Sequence, residues 1–187
     1  SDLVIPDPDF IARLKTSGAK VLFGPRSGSK TRDMHIPADL PPGILGDLLD
    51  FRVTRVESLP AFQSETVLYG NASHQTSVWR ETIRTSETVL ATFQGEYRSD
   101  SPAVIGNDVA RFCATLPRDE FLLKLMGDTL AWAGVGSLPD LGDLRLARRG
   151  RLHFAFNYGS VAATVPAGQS ATFLVGNRTL APVDVAI

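Results

Sequence analysis

The sequence predicts a mixed α/β (α+β) fold followed by a small antiparallel β module. Three observations carry this expectation. A capped helix runs directly into a compact apolar strand between residues 8 and 23, short β-branched or aromatic runs fill 51–114 and lead into one amphipathic helix at 118–133, and beyond a Gly/Pro-rich break at 134–142 only short strands recur. With 187 residues, 43% of them hydrophobic, the chain has enough apolar material for a core in each part. The expected domains are 1–135 and 143–187.

Asp7-Pro8-Asp9 offers a cap, a proline at the first helical position and an acid in the first turn; Phe10, Ile11 and Leu14 form an apolar stripe and Gly18 stops the helix. Ala19 to Phe23, bounded by glycines, reads as a buried strand, and a parallel strand at this point calls for earlier strands beside it. Pro37, Pro41 and Pro42 forbid a long helix, after which Ile44 to Leu49 permits a short one. Strands are then expected at Phe51–Glu57, Thr66–Tyr69, Ser77–Ile83, Thr88–Phe93, Ala103–Ile105 and Val109–Ala114, with a hairpin tip at Gln94-Gly95-Glu96. From Arg118 to Ala133, Phe121, Leu122, Leu125, Met126 and Leu130 follow helical spacing and should pack on a sheet, and Gly134 closes the helix. In the second part the expected strands are Leu144–Arg148, Leu152–Asn157, Val161–Val165, Ala171–Val175 and Val183–Ile187.

Nineteen basic residues against twenty acidic ones leave a net charge of -1, so no whole-chain field draws in nucleic acid. The longest apolar runs are a few residues, far below the roughly 20 a spanning helix needs, so no membrane partner is expected. Ser1 to Asp9, with three acids and two prolines, does not read as a signal peptide, and the missing initiator Met points to a processed end or an excised fragment. A single cysteine, Cys113, excludes an internal disulfide framework and fits a reducing compartment, with the cytoplasm as the expected location.

The stretch 21-VLFGPRSGSKT-31 superficially matches the phosphate cradle G-x-x-x-x-G-K-[ST]. The glycine required before the lysine is replaced by Ser29 and stands one place early, at Gly28, and three prolines follow where a helix should begin. The alternative is a strand-end loop turning at Gly24-Pro25, with Gly28 at positive φ and Arg26 and Lys30 solvated or paired with acids. Cys113 lies in a strand-like run with no adjacent base, His35, His74 and His153 lack metal-ligand spacing, and Ser27, Ser29 and Ser58 lack a nucleophile-elbow setting. Glu57, Glu65, Glu81 and Glu87 fall where solvated strand faces would put them. Trp79, Tyr97 and Trp132 invite comparison with a sugar-stacking surface, although core packing is the commoner role for such residues. Arg145, Arg148, Arg149 and Arg151 flank a turn at Gly150 as a solvated hairpin would. No cofactor, metal or catalytic residue is expected.

The succession 23-FGPRSGSKT-31, 36-IPADLPPGILGDLL-49 and 53-VTRVESL-59 closely resembles the region behind the catalytic barrel in bacterial β-galactosidases of glycoside hydrolase family 42. The resemblance continues through 106-GNDVARFCATLPRDEFLLKLMGDTLAWAGV-135 and 144-LRLARRGRLHFAFNYG-159 to 180-LAPVDVAI-187. It implies a partial trimerisation domain with a glutamine-amidotransferase-like (flavodoxin-like) sheet, then a C-terminal β domain. It also implies an upstream (β/α)8 barrel of the same polypeptide and a homotrimer as partners. The two glutamates of retaining hydrolysis belong to the barrel and have no counterpart here. The function implied is a non-catalytic assembly region of a β-galactosidase; the alternatives are a carbohydrate-binding module or, through the 24–31 loop, a nucleotide-binding protein. Arg26, Lys30, Arg55 and Glu57 are the residues expected at an interface or structural loop.

Overall fold

A computed structural model of the chain describes residues 7–39, 41–95, 100–136 and 140–187 and divides into two compact units, Ser1–Gly136 and Ser137–Ile187. Both helix expectations hold. In α1, Pro8–Ser17, the Asp7 carboxylate accepts from the Asp9 amide at 2.8 Å, Pro8 occupies the first turn where its missing N–H costs nothing, and Gly18 ends the helix at φ 70°. In α2, Asp119–Trp132, the chain leaves through Gly134 at φ 69°, and the Val135 amide returns to the Leu130 carbonyl at 2.9 Å. The buried stripe of α2 is narrower than the spacing implied. Phe121, Leu125 and Thr129 are inside, whereas Leu122 and Met126 stand exposed.

The first unit is built on strands β1 Val21–Phe23, β2 Phe51–Ser58, β3 Ser64–Tyr69, β4 Ala72–Ser77, β5 Trp79–Thr85, β6 Thr88–Gln94, β7 Ser101–Gly106 and β8 Ala110–Cys113, with a short 3₁₀ turn at Gly43–Asp47. Six of them form a sheet in the order β1-β8-β7-β6-β3-β4, and β2 pairs with β5 as a separate ribbon. Only β1 and β8 run parallel; every other pair is antiparallel, because short connections such as Gly70-Asn71 can join only antiparallel neighbours. The described sheet is therefore mixed and mostly antiparallel, with β1 at one edge and β4 at the other. The expected strand Ser77–Ile83 is in fact the junction of two strands, and β4, a polar run pairing back on β3, was not expected.

Arg111 and Phe112 are neighbours on β8 and so point to opposite faces of the sheet. On one side Phe112 stacks on Phe51 of the ribbon at 4.3 Å and meets Phe23 at 5.6 Å. On the other, Arg111 reaches the Asp128 carbonyl of α2 at 3.3 Å and lies 4.3 Å from the Trp132 ring centre. Helix α2 also sets Phe121 against Tyr69 and His74 of the β3–β4 hairpin. Each buried phenylalanine contributes on the order of 1.5–3 kcal/mol. A cavity of about 750 Å³ opens beside β1, lined by Phe10 and Leu14 of α1, Leu22, Cys113, and Leu122 at the start of α2.

In the second unit β9 Leu144–Arg149 and β10 Leu152–Asn157 form a hairpin across Gly150, and β13 Asp184–Ala186 pairs on the other side of β10. The short pair β11 Ala163–Thr164 and β12 Thr179–Leu180 lies in the same unit, around a small core of Leu144, Ala155, Val165, Leu180 and Ala186. Ala171–Val175, expected as a strand, is irregular. A Cβ on Gly176 would collide with the Val185 carbonyl, and the segment's backbone hydrogen bonds to the C-terminal end run from the Leu174 and Val175 amides to the Ile187 carbonyl and from the Ile187 amide to the Val175 carbonyl. The hairpin tip at Glu96, Tyr97, and the part of the glycine-rich break at 137–139 lie outside the described residues. Among the described residues no helix is long and apolar enough to cross a membrane.

Candidate functional site

The 24–31 loop is tied down from three directions. Within it, Ser27 donates to the Gly24 carbonyl at 3.4 Å and Ser29 to the Arg26 carbonyl at 3.2 Å, two successive turns with Arg26 at φ 66° and Gly28 at φ 69°. A Cβ on Gly28 would lie 2.6 Å from the Pro42 carbonyl oxygen, so the loop packs directly on the diproline segment, which in turn anchors β2 through the Val53 amide to the Pro41 carbonyl at 3.0 Å. The two motifs singled out in the sequence are thus one packed unit. Beyond Lys30 a turn follows, closed by the Thr31 amide on the His35 carbonyl at 2.8 Å, where a phosphate cradle would place a helix N-terminus.

The third tie is Glu81, which sequence reasoning placed on a solvated face and the structure buries to 2% exposure. Its Oε1 accepts from the Arg26 backbone amide at 2.9 Å and from the Trp79 indole nitrogen at 3.1 Å. The Arg26 guanidinium meanwhile lies 5.0 Å from the Trp79 ring centre. Burial raises the Glu81 pKa; the hydrogen bonds from Trp79 and from the Arg26 backbone, and the Arg26 charge, oppose that shift without cancelling it. Next along β5, Arg80 is also buried: its Nη1 meets Glu65 Oε1 at 2.6 Å, its Nη2 donates to Ser101 Oγ at 3.0 Å, and its guanidinium lies over Phe93 at 4.2 Å. Glu87 likewise departs from a solvated role, accepting from the Asp50 amide at 2.8 Å and from the Asn107 amide nitrogen at 3.0 Å. These carboxylates are committed to holding loops and strands together.

Of the four residues expected at an interface or structural loop, Arg26 joins the Glu81–Trp79 cluster. Arg55 and Glu57 form an ion pair at 3.0 Å along β2, and Lys30 sits half-buried at the loop's end. The register of β2 on β5 pairs Glu57 with Arg80 and Ser58 with Trp79, which sets Arg55, Glu57 and the Arg26–Trp79 stack along one ribbon. Lys30 is not brought to that ribbon by any described contact. Trp132 lies against both Lys20 and Arg111, and Trp79 against Arg26, so each ring already carries a cation. The Cys113 thiol donates to the Thr115 carbonyl and is pushed by burial up to about 12, which leaves it neutral at physiological pH and unsuited to nucleophilic chemistry.

Two family models tile the sequence: the β-galactosidase trimerisation domain over residues 4–136 and the β-galactosidase C-terminal domain over 143–187. A β-galactosidase of Thermus thermophilus is 41% identical over 99% of this chain, and the chain spans 28% of that protein's length. The β-galactosidase BgaA of a Thermus species is 38% identical over 89% of the chain, which spans 25% of it. Among solved structures, the β-galactosidase of the psychrophilic Marinomonas ef1 superposes with a TM-score of 0.78 at 30% identity, covering 97% of this chain and 27% of its own. That of Bacillus circulans sp. alkalophilus reaches 0.81 at 17% identity over 98% of this chain and 31% of its own, a likeness of fold.

Proposed function

The chain belongs to the glycoside hydrolase family 42 β-galactosidases, spanning their trimerisation and C-terminal domains, and from that premise we propose that it is the non-catalytic assembly region of a longer enzyme that hydrolyses terminal β-galactosides. The observation that carries this reading is the tiling of the chain by those two domain models while it spans little more than a quarter of its Thermus thermophilus relative. The committed carboxylates and the neutral buried thiol agree with a scaffolding role.

In this reading the domains are 1–135 and 143–187, and the partners are an upstream catalytic barrel of the same polypeptide and two further copies in a trimer. Neither nucleic acid nor a membrane is a partner, and the compartment is the cytoplasm. The glutamine-amidotransferase-like character belongs to the β1 side of the sheet. It is supported by the helix-to-strand order of α1 and β1, by the parallel β1–β8 pair, and by the apolar cavity beside that edge, which suits further strands and helices from upstream. Arg26, Arg55 and Glu57, with Lys30, serve as the structural loop and interface residues.

Two measurements test the reading. Turnover of nitrophenyl β-galactoside is expected from the full-length protein and not from residues 1–187; turnover by this chain alone would overturn the non-catalytic assignment. Sedimentation of the full-length protein is expected to report a trimer, and a strict monomer would remove the assembly role.

A further inference from the structure

We draw no further inference here: the strongest candidate, the row of Phe154, Phe156 and Tyr158 rings along β10 with Arg145 opposite Phe156, is a sheet face for which nothing in the structure shows what covers it.

Discussion

The backbone amide of Arg26 donates to the buried carboxylate of Glu81 at 2.9 Å, joining two residues 55 positions apart. This bond holds the loop after β1 in a left-handed turn that an arginine would not otherwise favour, since Arg26 sits at φ 66°. The same oxygen takes the Trp79 indole N–H, and the ring it orients receives the Arg26 guanidinium, so one side chain fixes both ends of the arginine.

Glu81 therefore sets a pH dependence whose sign follows from burial. Its folded pKa is raised above the ordinary 4.5, so above pH 4.5 the unfolded chain gives up this proton while the folded one retains it. Stability falls as pH rises from 4.5 through the folded value, and the cost then stays constant. Glu81→Gln keeps an acceptor for both donors and removes the titration. Its thermal midpoint should decline less over that interval than the wild type's, and parallel pH profiles would refute the burial argument. Glu81→Ala, which strands the two donors, should lose about 1–3 kcal/mol at any pH.

Gly28→Ala probes the loop's second tie. The added methyl group would stand 2.6 Å from the Pro42 carbonyl oxygen at φ 69°, so both the backbone and its neighbour must yield. A loss of about 2 kcal/mol or more in urea denaturation is expected. Gly70→Ala, at a similar φ with nothing within 4 Å, is the control and should lose less.

How far the sequence announced these ties depends on their range. Caps are local, so Asp7, Pro8, Gly18 and Gly134 marked both helices. Gly70-Asn71 is a two-residue hairpin signal, but 72-ASHQTS-77 is too polar to carry a strand pattern of its own; it becomes a strand by pairing with β3. Ala171–Val175 looked like a strand because it is apolar, whereas the close approach at Gly176 depends on a segment nine residues or more away. The buried charges were out of reach. Arg80 and Glu81 break the in-out alternation of β5, and their partners Glu65 and Arg26 lie 15 and 55 residues distant, so no periodicity could flag them.

The Arg80–Glu65 pair should behave as a buried ion pair. The Arg80 side chain is 5% exposed and that of Glu65 19%, and removing either partner leaves the other desolvated. Glu65→Ala is expected to cost about 3–5 kcal/mol, whereas Glu65→Leu combined with Arg80→Met should lose much less than the sum of the single changes. Urea denaturation of the four proteins closes the cycle, and additive losses would show that the pair is not coupled.

Cys113 gives the last prediction. Its thiol donates to the Thr115 carbonyl, and desolvation carries its pKa from 9.0 to about 12, partly opposed by that hydrogen bond and slightly augmented by Glu81. At pH 8 the thiolate fraction is then about one in ten thousand, and the residue is buried as well. A disulfide reagent such as dithionitrobenzoate should leave the folded chain unmodified over hours at pH 8 and react stoichiometrically within minutes in strong urea. Labelling in the fold as fast as in urea would show an accessible, ionised thiol and refute its burial in the core.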